Sequence, residues 1–223
     1  TLKAPFDKVK FRKSLSCAVD RESLVKVMGG DEVPLETFLP KGLEGYRSLK
    51  LSGCKSILSS PLPLGDQKME MTYYTDANQR KVMEFIQESL RKKLGWDVEV
   101  RNQEWKVFIA RVNSKPPMGY RLGWLAIFPD PLLYLSLFSS DSHFNTSGWS
   151  NELYDRIYEK VQRLKPSKER ERLIARAMEI LVNKEAVVVP LFNGVRHYLV
   201  RSGISSLPLE PLNRFRLLDT KRD

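Results

Sequence analysis

The sequence predicts an α/β fold with a mixed, mostly parallel sheet flanked by helices, and three features predict it. Residues 69–74 alternate like a strand, a helix follows with Val82, Phe85, Ile86 and Leu90 on one face, and Trp96, Val98 and Val100 alternate again. Strand–helix–strand is the unit from which parallel sheets covered by helices are built. A further strand at 120–124 and two amphipathic helices, roughly 151–164 and 167–183, continue the pattern.

Taken in order, Asp7 is placed to cap a first helix with Phe11, Leu15 and Ala18 at i, i+4 and i+7. Asp20 caps a second with Leu24, Val27 and Met28, and Gly29-Gly30 ends it. Residues 32–67, with Pro34, Pro40, Pro61 and Pro63, read as a long loop that wraps the surface or carries short helices. Asp76 caps the helix inside the strand–helix–strand unit, Gly95 stops it, and a short helix spans 105–112. Ser167 caps the last helix. Residues 187–192 read as a buried strand that Pro190 confines to an edge or a crossover, and 197–200 as a further strand.

At 223 residues the chain can bury one large core or two small ones. Its net charge of +10 raises the question of nucleic acid, but bases alternate with acids along 88–93 and 167–176, as on solvated helix faces. A nucleic-acid partner is therefore not expected. No apolar run is long enough to span a bilayer, so a soluble piece is expected, and the start at Thr1 suggests a processed or cut chain. Two cysteines, Cys17 and Cys54, give no metal or redox spacing; buried free thiols are expected, with a single disulfide as the alternative.

Phosphate-loop, nucleophile-elbow, HExxH and CxxC patterns are missing, and His143 and His197 stand far apart, so neither catalysis nor a cofactor is expected. Asn145-Thr-Ser147 matches the short glycosylation pattern. The stretch 121–138 sets Trp124, Phe128, Tyr134 and Phe138 beside Arg121 and Asp130, the mixture of apolar walls and few polar groups that small-ligand pockets use. Asp130 and Pro131 would open a helix there. A buried strand–turn–helix with no ligand fits the same residues, because aromatic clusters are more often core.

Five stretches in order resemble the bacterial periplasmic oligopeptide- and dipeptide-binding proteins that feed ATP-driven transporters. Ala4-Pro-Phe-Asp-Lys-Val-Lys-Phe-Arg-Lys-Ser-Leu-Ser-Cys-Ala-Val-Asp-Arg-Glu22 resembles "PFxDVRVRxALxxAIDRE", and Thr37-Phe-Leu-Pro-Lys-Gly-Leu resembles "FLPPGL". Asn102-Gln-Glu-Trp-Lys106 with Gly123-Trp124 and Asp130-Pro131 is similar to the "EW…GW…DP" series. Gly148-Trp-Ser-Asn with Tyr154-Asp155 is similar to "GYSNPEYD", and Val188-Val-Pro-Leu-Phe to "xVPLY". Residues 51–67 depart from the helical "YDPEKAKxLLxEAG" usual there.

The resemblance implies a periplasmic-binding-protein-like lobe, in a family more than twice this length whose two lobes close over ligand. Residues 1–188 would be the second ligand-binding lobe, and 189–223 a hinge strand and tail returning to a first lobe. It implies a non-enzyme in the periplasm, with a peptide or other small solute as ligand and a membrane permease as partner. Trp105 and Trp124 match two pocket-wall indoles, with Phe128 beside them, and Arg121 an arginine that meets a peptide's negative end. Three residues after Trp124 many peptide binders carry an aspartate that pairs with the ligand's α-amino group, and here that position is Ile127. A sugar or metal chelate is the alternative ligand that this change suggests.

Overall fold

The computed structural model describes residues 2–29, 31–49, 51–65, 68–195, 197–206 and 221–222. Helices α1 (Val9–Ala18) and α2 (Arg21–Met28) come first. Lys8, not Asp7, occupies the cap position of α1 and makes no side-chain cap. The carbonyls of Phe6 and Asp7 are instead taken by the buried guanidinium of Arg12, which also binds the Glu185 carboxylate at 3.0 Å. Asp20 caps α2 as expected, accepting from Ser23 N, and Gly29 closes it in the left-handed conformation.

Strand β1 (Val33–Pro34) and a short helix α3 (Cys54–Ser59) lie in the segment read as loop. Cys54, which opens α3, forms a disulfide with Cys17 on α1, so the free-thiol expectation is wrong. Two half-buried cysteines far apart in sequence meet because α3 packs on α1, a tertiary fact that spacing does not encode.

The central unit is β2 (Met69–Tyr74), α4 (Ala77–Leu94), β3 (Val98–Gln103), α5 (Trp105–Ser114) and β4 (Gly119–Arg121). Asp76 and Gly95 cap and stop α4 as the sequence predicts. The sheet order is β3-β2-β4, all parallel, with Tyr74 opposite Gln103 and Tyr73 opposite Arg121. Val82, Met83, Ile86 and Leu90 of α4 form one core with Met69, Met71, Tyr73 and Val98. On the other side of the sheet, Phe108 of α5 lies 5.8 Å from Tyr74 and 6.5 Å from Tyr120, ring to ring. Complete burial of a side chain such as Phe108 contributes about 3 kcal/mol. β4 stops at Arg121, short of the expected end at Trp124, and the chain leaves the sheet there.

A second core gathers α6 (Leu132–Leu135), a 3-10 turn (Ser136–Phe138), α7 (Glu152–Arg163), α8 (Lys168–Met178) and a π-helical turn (Glu179–Lys184). Asn151 and Ser167 cap α7 and α8. Tyr154, Ile157 and Val161 bury against Ile174, Ala177, Met178 and Leu181, with Leu173 partly buried beside them. Of the strand expected at 187–192, only β5 (Phe192–Asn193) pairs, antiparallel with β1. Residues 197–200 are not a strand; β6 (Ile204–Ser206) pairs instead with β7 (Lys221–Arg222). In the tail, Leu199 is fully exposed, while Leu207, Leu212, Phe215 and Leu217 lie outside the described residues. No described helix is long and apolar enough to cross a membrane.

Candidate functional site

Three parallel strands bring their carboxyl ends to one edge, where α4 and α5 also begin. Crevices at that edge are where open α/β sheets bind ligands. Asp76 spends its carboxylate on the amides of Asn78 and Gln79, and Glu104 caps α5 through Lys106 N and Val107 N. Trp105, the first residue of α5, is thereby fixed at the rim, half-exposed, with its ring edge-on to Tyr74 at 5.0 Å.

Arg121 ends β4. Its Nη1 donates to Gln79 Oε1, and its guanidinium carbon lies 5.4 Å from the Phe192 ring centroid. Gln79 in turn donates from Nε2 to the Tyr74 hydroxyl at 2.7 Å, so one carboxamide spans the strand ends from Tyr74 to Arg121. Burial pulls the Arg121 pKa down, opposed by Tyr74 and by the charge of Asp76. The buried Nε–H has no partner among the described residues, nor does the buried Gln103 Oε1 at the end of β3. Arg121 makes no ion pair among those residues either: its hydrogen-bond partners are the neutral Gln79 amide and the Tyr74 hydroxyl.

Beyond Arg121 the loop 122–130 turns its apolar side chains outward. Trp124, Leu125, Ile127 and Phe128 are all exposed, whereas Ala126 packs inward. The far end is pinned by Asp130, which accepts from Leu132 N at 2.8 Å, the helix-opening role the sequence assigns it, and from Arg170 Nη2 at 2.9 and 3.1 Å. Trp124 meets Phe144 at 5.9 Å.

The structure thus joins Trp105 to Arg121 through Tyr74 and Gln79, and sets Trp124, Ile127 and Phe128 on one adjoining loop. No ring contact links Trp105 to Trp124 among the described residues. Neither of two concavities of about 420 and 440 Å³, one between α2 and α4 and one beside Arg21, includes any of these five residues. Asn145 is unfit as a glycan acceptor, because its amide donates to the carbonyls of Ser139 and Trp149 and accepts from Ser147. Sequence reasoning missed Gln79, Phe192, Phe144 and Arg170. Only Phe144 carried a local signal, a large aromatic among turn-forming Ser, Asp, Asn and Thr. A fixed cation beside exposed indole and phenyl surface can hold an anionic group that has an apolar body, without covalent chemistry.

Residues 1–146 match the model of the bacterial extracellular solute-binding proteins, family 5 middle region. The oligopeptide-binding protein OppA of Bacillus subtilis is 30% identical over 209 residues, 84% of this chain and 37% of its own length. Among solved structures, Haemophilus influenzae OppA in complex with the peptide RPPGFSPFR superposes with a TM-score of 0.79 at 28% identity, covering 91% of this chain and 43% of that one. The Escherichia coli murein tripeptide binding protein MppA gives 0.84 at 24% identity over 95% and 44% of the two chains, a likeness of fold. The chain spans about two fifths of the length of the curated relatives it matches. With the parallel sheet, the rim arginine and the matched stretch covering most of its length, the chain belongs to the bacterial extracellular solute-binding protein family 5.

Proposed function

We propose that this chain forms one wall of a peptide-binding cleft and that the protein captures peptides outside the cytoplasm for an ABC-transporter permease. Residues 1–188 act as the second ligand-binding lobe, and 189–223 carry a hinge strand and a tail that returns to a first lobe. The exposure of Trp105, Trp124, Ile127 and Phe128, outside either concavity, supports this reading, since half of a two-lobed cleft is a surface rather than a cavity. The Cys17–Cys54 disulfide suits an oxidising, periplasmic compartment.

Arg121 carries the reading. A largely desolvated guanidinium costs several kcal/mol unless a charge meets it, and here Gln79, Tyr74 and Phe192 orient the group while Asp76 acts on it only from beyond ion-pair distance. It is therefore poised for a ligand carboxylate. In calorimetric titration, Arg121→Gln is expected to weaken a peptide with a free carboxyl terminus about 10- to 100-fold, the loss of a charge-assisted bond, and to leave its C-terminal amide unchanged. Equal loss for both peptides would show that Arg121 only braces the fold.

Ile127 sets the opposite end. Its side chain offers no charge to an ammonium group, so this lobe does not anchor a free α-amino terminus. N-acetylation of the peptide should leave affinity within about threefold, and Ile127→Asp should favour the free amine by about tenfold or more. If the unaltered protein loses its ligand on acetylation and gains nothing from the new carboxylate, another acid holds the amino end. A non-peptide anionic solute is the second reading, favoured by the same missing charge.

A further inference from the structure

Phe144 is the most exposed aromatic ring in the described chain, 63% accessible, yet it is not on a loose loop. Asn145 makes hydrogen bonds to Ser139 O, Trp149 O and Ser147 that close the turn around it, and Ser142 Oγ accepts from Phe144 N at 3.2 Å. Ser140 ties the start of the turn to Asp155 of α7 through both its amide and its hydroxyl. Thr146 Oγ1 lies 2.6 Å from the Tyr120 hydroxyl, which fastens the turn to β4 one residue before Arg121. The ring is thus presented to solvent by a backbone whose polar groups are satisfied, and its order is already set before any ligand arrives.

Its one ring neighbour among the described residues is Trp124, edge to face at 5.9 Å and 66°, and Trp124 itself keeps 38% of its surface exposed. A scattered surface phenylalanine needs no explanation. Two aromatic rings in contact, one of them on a turn closed by hydrogen bonds and both still partly exposed, offer a surface for a third planar or bulky apolar group. The pair lies close to Arg121 along the chain: Trp124 follows it by three residues, at most roughly 10 Å of extended backbone, and the Tyr120–Thr146 contact ties the Phe144 turn to the residue before it.

We infer that Phe144 is a specificity-determining residue which, with Trp124, forms a subsite for an aromatic side chain close to the ligand's carboxylate. This rests on the peptide-binding reading above. The test is titration of the protein, and of Phe144→Asn and Phe144→Tyr, with two short peptides that differ only in a Phe or an Ala next to a free carboxyl terminus. The unaltered protein should prefer the Phe peptide, and Phe144→Asn should cut that preference about three- to tenfold, with Phe144→Tyr restoring it. Thermal midpoints should stay together, because the ring is exposed. An unchanged Phe-to-Ala ratio in Phe144→Asn overturns the inference and leaves the peptide reading standing. Equal weakening of both peptides also overturns it, making the ring a general brace. Failure of the unaltered protein to bind either peptide overturns both readings. Sedimentation on the same samples covers the rival occupant: a dimer that Phe144→Asn converts to monomer overturns the subsite in favour of a second copy of this chain.

Discussion

Arg170→Met is expected to destabilise the fold by about 2–4 kcal/mol, the cost of leaving two half-buried acids without their buried cation. The Arg170 side chain is only 4% accessible, and it holds three elements together. Its Nη2 binds both oxygens of Asp130, its Nη1 binds Glu44, and its Nε donates to the Val161 carbonyl at the end of α7. Glu44 is brought there by the close seating of its loop on α8: a Cβ on Gly45, at φ +75°, would lie 2.6 Å from Ile174 Cγ2. Asp130 is more accessible than Glu44, so water relieves part of the loss there, and the greater share falls on Glu44, whose Oε1 is already buried without a partner. Urea denaturation provides the measurement. The control is Arg170→Met with Glu44→Gln and Asp130→Asn, which removes the uncompensated charges and keeps the α6 cap; it should recover at least half of the loss. A single variant within about 1 kcal/mol of the unaltered protein would mean that the cluster is solvated and contributes little.

The elements were legible where a single residue decides their ends. Asp20, Asp76 and Ser167 each sit before an apolar stripe and each caps its helix, because capping is a contact between near neighbours in sequence. The parallel strand–helix–strand unit was legible for the same reason, as both periods are local. Asp7 failed as a cap because Arg12 draws the carbonyls before α1 toward Glu185, a partner 173 residues away. The site divides likewise. Trp105, Arg121 and Trp124 were named by motif, but the meaning of Arg121 depends on Gln79 and Phe192, which arrive from α4 and β5. Arg170 reads in sequence as one more base on a charged helix, Ser167-Lys-Glu-Arg-Glu-Arg172. Only tertiary packing shows it to be the buried one, because α8 turns it toward α6 and α7 while its neighbours face water.

Removing the Cys17–Cys54 link should cost about 4 kcal/mol by the entropy that a loop of this length regains in the unfolded chain. The two cysteines are 37 residues apart in sequence and 5.3 Å apart at Cα. The link also does what packing cannot do locally. No residue of α3 is buried, and beyond it Leu58 and Leu64 only lean on the first core. One further tie is specific: the buried Trp96 donates from Nε1 to Leu62 O at 2.7 Å. Residues 52–65 are therefore held over the core of Phe6, Phe11 and Trp96 chiefly by one covalent bond, one hydrogen bond and the partial burial of Leu58 and Leu64. Cys17→Ala with Cys54→Ala should lower the urea midpoint, and limited proteolysis should begin to cut within 52–65 before global unfolding. Dithiothreitol on the unaltered protein should reproduce both effects. If the double variant unfolds within about 1 kcal/mol of the unaltered protein and resists cleavage there, side-chain packing holds the segment, and the compartment inferred from the disulfide loses its support.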